Sequence, residues 1–207
     1  MNPKEHWNHV YQTKGALEVS WYQTQPAVSL RLIEASGVGQ DDGVIDVGGG
    51  ASVLVDGLLK AGFGNLAVLD LSSVALGYAR QRLGPRAEEV TWLEADVTEF
   101  IPPRRFGLWH DRAVFHFLTD EADRRKYVQT LMRTLVPGGH VIIATFAKEG
   151  PPKCSGLDVA RYDAASICAE LGPRLRWVEQ VDETHVTPWN TEQKFSYFGF
   201  AEQKAKQ

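Results

Sequence analysis

The chain has 207 residues, 43% apolar and 23% charged, which is ordinary globular composition, long enough for one domain with a three-layer core and too apolar for disorder. Its formal net charge of −4 leaves no global basic field to draw in nucleic acid, and no apolar run reaches the length of a membrane span. The polar start Met1-Asn2-Pro3-Lys4-Glu5-His6 is not a signal peptide, and Cys154 and Cys168 lack C-x-x-C spacing, so free thiols in a cytoplasmic protein are expected.

Residues 1–25 set Trp7, Tyr11, Trp21 and Tyr22 among polar neighbours with little β character. The segment reads either as a terminal helix docked through its aromatics or as a lid of flat rings that excludes water. His6 and His9 share a helical face there, but without further ligands they read as a solvated surface rather than a metal site. After Pro26, the spacing of Val28, Leu30, Leu32 and Ile33 predicts a helix ending at Gly37-Val38-Gly39.

Next comes Val44-Ile45-Asp46-Val47-Gly48-Gly49-Gly50-Ala51-Ser52: a buried strand, a glycine turn, then the first turn of a helix over 53–60. Glycines at such a turn let a ligand lie against the backbone, and the helix N-terminus offers it unpaired N–H groups. Leu66–Asp70 is a second strand ending in a carboxylate, with Ser72 as N-cap of a helix carrying Val74, Ala75, Tyr78, Ala79 and Leu83. A third strand, 90–96, again ends on aspartate. The fourth is expected over 106–109 and is followed by His110-Asp111-Arg112.

A helix with Val128, Leu131, Met132 and Leu135 on one face is expected to stop at Pro137-Gly138-Gly139, before a fifth strand at 140–146. Residues 148–158 form a long loop, 163–171 a helix, and 175–182 and 194–200 the closing strands. Roughly ten residues between the last two are too few for a helical crossover, so that pair should be antiparallel. Strands alternating with helices predict a doubly wound α/β fold with a mostly parallel seven-stranded sheet.

In such a sheet, ligands sit beyond the carboxyl ends of the strands. The glycine turn, Asp70, Asp96 and His110-Asp111-Arg112 converge there. Asp70 lies at the offset where a carboxylate meets a ribose diol, and Asp96 would accept from an exocyclic amine of adenine. Here the sequence resembles the small class I S-adenosylmethionine-dependent methyltransferases. Asp46-Val47-Gly48-Gly49-Gly50-Ala51-Ser52 is similar to the family's acidic glycine turn, and Leu69-Asp70-Leu71-Ser72, Ala95-Asp96-Val97 and Leu135-Val136-Pro137-Gly138-Gly139 are similar to its later motifs. Two positions depart from the pattern: Ser52 replaces the third glycine, and Gly107 stands where many members carry aspartate.

The resemblance covers about residues 40–147 and implies strand order 3-2-1-4-5-7-6 in one domain, with 1–25 as an aromatic lid and 148–207 closing the sheet. It implies S-adenosylmethionine as cofactor. Gly48 and Gly50 would line its methionine part, Asp70 and Leu71 its ribose, and Asp96 and Val97 its adenine. Asp46 would order the turn or meet the ammonium, and Trp21 would lie over the whole. A nicotinamide dinucleotide uses a similar turn, but Asp46 and the Pro-Gly-Gly segment favour the methyl donor, and no second nucleotide-binding half is evident.

Methyl transfer from a sulfonium is an in-line displacement that needs alignment, dryness and often a base. His116 is the expected base, since many relatives carry histidine there, with His110 and Asp111 contacting the methionine part or orienting the base. Trp7, Tyr11, Arg112, Phe115, Arg161 and Tyr162 are the expected substrate contacts. A small thiol or related chalcogen is the expected acceptor, because its thiolate is a strong nucleophile. A small carboxylate and a lysine on a partner protein are the alternatives. A non-catalytic scaffold fits poorly with intact Gly48, Gly50, Asp70 and Asp96. Base methylation fits poorly with His110-Asp111-Arg112-Ala113 in place of the usual [D/N]-P-P-[Y/F], and with the net acidity.

Overall fold

The computed structural model describes residues 2–203. Helices α1 (Pro3–Lys14) and α2 (Ala27–Ala35) precede β1 (Val44–Val47), α3 (Leu54–Lys60), β2 (Leu66–Asp70), α4 (Ser73–Leu83) and β3 (Val90–Glu94). Then follow β4 (Phe106–Arg112), α5 (Glu121–Thr134), β5 (Leu135–Phe146), the short β6 (Lys153–Cys154) and β7 (Leu157–Asp158), α6 (Ala164–Leu171), β8 (Leu175–Val186) and β9 (Glu192–Glu202). The seven-stranded sheet runs β3-β2-β1-β4-β5-β9-β8, with β9 antiparallel to both β5 and β8. Set the β6–β7 hairpin aside and this is the order 3-2-1-4-5-7-6. No helix among the described residues is long and apolar enough to cross a membrane.

The central strands are buried on both faces because helices cover both, and their side chains alternate between two cores. Ile45, Val47 and Trp109 join Tyr127 and Leu131 of α5 and Ile167 of α6. Val44 and Leu108 join Leu32 and Ile33 of α2 and Leu54 and Leu58 of α3. This period of two decides where the polar residues of β4 point: His110 and Arg112 share the face of Leu108, while Asp111 shares that of Trp109.

Several element boundaries differ from the sequence reading: β3 ends at Glu94, β4 runs on through His110-Asp111-Arg112, and both closing strands are longer than expected. The helix expected to run to Pro137-Gly138-Gly139 ends at Thr134, and Leu135 already opens β5. Gly138, at φ 81, and a register shift between Phe106 and Leu108 accommodate the irregular start of that strand. The loop expected over 148–158 holds the β6–β7 hairpin, whose turn residues Ser155 and Gly156 have φ of 49 and 80. Two positive φ values in a two-residue turn match the twist of paired strands.

Candidate active site

The glycine turn makes the floor of the site. Gly48 has φ 68, and a Cβ there would strike the Val114 side chain; one on Gly49 would strike the Asp46 carboxylate. Beside the turn lies a cavity of about 400 Å³ whose lining includes Gly48, Asp70, Leu71, Asp96 and Val97. Asp70 Oδ1 accepts from the Ser72 N–H at 2.7 Å, and burial pushes its pKa up to about 7. Asp96 Oδ1 accepts from the N–H and hydroxyl of Thr98, both at 2.8 Å. The expected ribose and adenine contacts therefore share one cavity with the turn.

A second, smaller cavity of about 40 Å³ lies on the other side of Gly48, lined by Ser29, Asp46, His110 and Arg112 among others. Tyr11, Trp21, Gly48 and Arg112 line both spaces. His110 Nδ1 lies 2.7 Å from Asp46 Oδ1, and its Nε2 lies 2.9 Å from Ser29 Oγ. Arg112 donates through Nε to the Tyr197 hydroxyl at 2.8 Å and through Nη1 to the Trp21 carbonyl at 3.0 Å, with its guanidinium over the Phe195 ring. Two buried polar atoms make no hydrogen bond here: Asp46 Oδ2, and Arg112 Nη2, which faces Glu183 Oε2 at 3.7 Å. Such atoms are costly unless something else satisfies them.

The aromatic N-terminus is docked through its helix and also lines the larger cavity. Helix α1 docks on α4: the Tyr78 hydroxyl donates to the Tyr11 carbonyl, and the Ser72 hydroxyl to Asn8 Oδ1. Trp7 meets Trp21 and Phe117 edge to face over the larger cavity, and the Trp21 ring N–H donates to the Tyr11 hydroxyl at 3.2 Å. Residues 15–25 form a strap tied to the sheet at three points. Those points are the Arg112 bond to Trp21, a His185 Nε2 bond to the Ser20 carbonyl, and a Gln23 bond to Glu183.

Several expected site residues lie elsewhere. Asp111 points to the α5 face, where it accepts from the N–H groups of Val114 and Phe115 and from the Tyr127 hydroxyl at 2.6 Å. Burial raises its pKa to about 6, with the Tyr127 bond opposing. It braces the turn after β4 and lines neither cavity. Phe115 is fully buried against Tyr127 and Tyr162. Tyr162 belongs with that cluster, and burial raises its hydroxyl to about 12. Arg161 donates to the carbonyls of Lys148 and Gly150 and so pins the loop.

His116 also departs from its expected role as base. It is fully buried between Phe117 and Phe146, lines neither cavity, and is held by burial at a pKa of about 3. Its Nδ1 accepts from the Phe146 N–H at 3.3 Å. That assigns the proton of the neutral ring to Nε2, leaving no lone pair to take a proton from a substrate.

Three participants escaped the sequence reading: Ser29, Glu183 and Tyr197. Ser29 had a signal, since it stands at i, i+3 and i+4 spacing with buried Leu32 and Ile33. Glu183 and Tyr197 reach Arg112 from distant strands, and nothing local marks them. Cys154 lines the larger cavity from the β6–β7 hairpin, with burial raising its thiol to about 11.

A family model described as a methyltransferase domain matches residues 44–139. The chain is 32% identical over 80 residues to Nodulation protein S of Rhizobium tropici, covering 39% of this chain and 33% of that protein. It is 29% identical over 145 residues to the ubiquinone/menaquinone biosynthesis C-methyltransferase UbiE of Coxiella burnetii, covering 68% of this chain and 54% of that one. The matches thus span about a third to a half of the length of these relatives. The fold is similar to the crystal structure of the N-methyltransferase NodS from Bradyrhizobium japonicum in complex with S-adenosyl-L-homocysteine. That likeness has a TM-score of 0.72 at 19% identity, covering 94% of this chain and 97% of the other.

Proposed function

We propose that this chain, whose residues 44–139 match a methyltransferase domain, is a class I S-adenosylmethionine-dependent enzyme that methylates a small molecule, a thiol or related chalcogen. The observation that carries the cofactor assignment is the unpaired Asp46 Oδ2 beside the glycine turn, with the Arg112 guanidinium lining the same small cavity. Asp46 Oδ2 is a buried acceptor and Arg112 Nη2 a buried donor, and both residues line one small cavity. An α-amino acid head group carries the matching ammonium and carboxylate. The larger cavity adds a carboxylate for a ribose diol at Asp70 and an acceptor for adenine at Asp96. These residues fit S-adenosylmethionine along its whole length, and a scaffold without a ligand would have no use for them.

When bound, S-adenosylmethionine supplies an electrophilic methyl group on a sulfonium. This chain's part is to bind, orient and keep water out. Trp7, Trp21 and Phe117 roof the larger cavity, and Leu157 and Cys154 close another side. The apolar part of this wall favours a soft or neutral acceptor over a hydrated one.

The residues expected as bases are all committed. His110 is bonded at both nitrogens, Asp111 and His116 lie outside both cavities, and burial raises the Tyr11 hydroxyl well beyond the neutral range. An acceptor that brings its own nucleophilic form meets this site best. A thiol with a thiolate population near neutral pH does so without a protein base. A neutral amine meets the same requirement, and the likeness to NodS, an N-methyltransferase, favours that second reading.

The test is a transfer assay with labelled S-adenosylmethionine against panels of small thiols, amines and carboxylic acids, and against lysate protein. Label on thiols, at a rate that follows the thiolate fraction of the acceptor, supports the proposal. Label only on amines transfers it to the second reading, and label confined to protein overturns the small-molecule assignment.

A further inference from the structure

The pairing of Asp46 with His110 is built into the sheet. The two residues are register partners in the parallel ladder of β1 and β4, so their side chains leave the same face side by side. That face is covered by α2, and Ser29 of α2 is fully buried there. The three side chains form one line, Ser29 Oγ to His110 Nε2 at 2.9 Å and His110 Nδ1 to Asp46 Oδ1 at 2.7 Å.

Proton accounting gives the line a direction. The Asp46 carboxylate only accepts, so His110 Nδ1 carries the proton and donates to Oδ1. In the neutral ring, Nε2 then accepts the Ser29 hydroxyl proton. Oδ1 is thereby occupied, and the carboxylate cannot rotate without breaking a buried bond. Oδ2 stays buried and unpaired. One oxygen is held so that the other is presented.

We propose that Ser29 and His110 are positioning residues that present Asp46 Oδ2 to the α-ammonium of the cofactor's amino acid tail. Selectivity for that tail is thus set partly by α2, which lies outside the 44–139 methyltransferase match. The inference rests on the cofactor reading above. A purely structural role for the line would support every ligand of the site equally; a positioning role supports only ligands that bear the amino acid.

Two ligands separate these cases: S-adenosylhomocysteine, which carries the tail, and 5′-methylthioadenosine, which lacks it. Calorimetric titration of the full chain with both should show His110→Ala weakening S-adenosylhomocysteine by roughly tenfold or more, with 5′-methylthioadenosine changed less than about twofold. His110→Asn, which restores a donor to Oδ1, should recover part of the loss. Ser29→Ala should act in the same direction by a few-fold, and it decides the matter if His110→Ala does not fold. Equal losses for both ligands, or an unchanged affinity for S-adenosylhomocysteine in Ser29→Ala and His110→Ala, would overturn the positioning role alone. An intact chain that binds 5′-methylthioadenosine but not S-adenosylhomocysteine would overturn this inference together with the amino acid subsite; one that binds neither would overturn the cofactor reading beneath both.

Discussion

Arg112 donates through Nη1 to the main-chain carbonyl of Trp21 at 3.0 Å, so one guanidinium both lines the small cavity and holds the strap above it. Its planar fork allows this: Nε serves Tyr197, Nη1 serves the strap, and Nη2 faces Glu183 without a hydrogen bond. Glu183 balances the charge from 3.7 Å while bonding Gln23 of the same strap. One side chain therefore both ties down the roof and lines the small cavity.

Arg112→Met should weaken S-adenosylhomocysteine by about 1.5–3 kcal/mol, the range for a hydrogen bond to a charged group. Arg112→Lys should not restore it, because a point charge cannot serve Tyr197, Trp21 and a ligand together. Titration calorimetry reads both variants. Full affinity in Arg112→Lys would show that the fork geometry is irrelevant.

Asp70 gives cofactor affinity a pH dependence. Its pKa stands near 7 in the free protein because burial disfavours the charge. Two ribose hydroxyls donating to it favour the carboxylate form, so binding should weaken as pH falls below about 7, approaching tenfold per unit. Asp70→Asn should bind more weakly by about 1.5–3 kcal/mol at pH 8, and with a flat profile between pH 8 and 6. A wild-type affinity independent of pH across that range would remove the carboxylate from the binding step.

His116 should matter for acid stability and not for turnover. Its folded pKa of about 3 lies below the 6.5 of an unfolded chain, so between these values only the unfolded chain takes the proton. Stability from this group is present above 6.5 and is lost, at about 1.4 kcal/mol per pH unit, as pH falls toward 3. Asp70 and Asp111, raised to about 7 and about 6, contribute oppositely, favouring the fold in acid and losing that contribution as pH rises through those values. His116→Asn keeps an acceptor for the Phe146 N–H and removes the titration. Relative to wild type, it should gain stability steadily between pH 7 and 5 in urea unfolding, with the pH profile of turnover unchanged. A turnover profile that loses an ionisation in this variant would reinstate His116 as a base.

Deleting residues 1–22 removes Trp7, Tyr11 and Trp21 from the roof. The larger cores on the two sheet faces draw little on that segment, so the sheet should remain folded by circular dichroism. Turnover should be impaired, because water then reaches the larger cavity. A truncated chain that turns over at the full rate would reduce the segment to a docked helix.

The glycine turn and the aspartates ending β2 and following β3 were legible because each rests on short-range signals, strand period, turn residues and spacing, whereas the sheet order was implied only by the family resemblance. What was not legible was direction. His110, Asp111, Arg112 and His116 all looked chemical, but only the alternation along β4 separates His110 and Arg112 from Asp111. His116 lies in the turn beyond, where no period applies. Glu183 and Tyr197 were invisible because they meet Arg112 through the antiparallel pairing of β8 with β9, a long-range register that a local pattern does not encode. Pro137-Gly138-Gly139 read as a helix stop, while the helix had already ended at Thr134, where Leu135 enters the sheet.

The cofactor assignment is tested most directly by titrating the intact chain with S-adenosylhomocysteine in a calorimeter, alongside Asp46→Ala. The account predicts saturable one-to-one binding by wild type and a marked loss in Asp46→Ala, since Oδ2 is the acceptor for the ligand's ammonium. No measurable heat or saturation with a folded wild-type chain would contradict it.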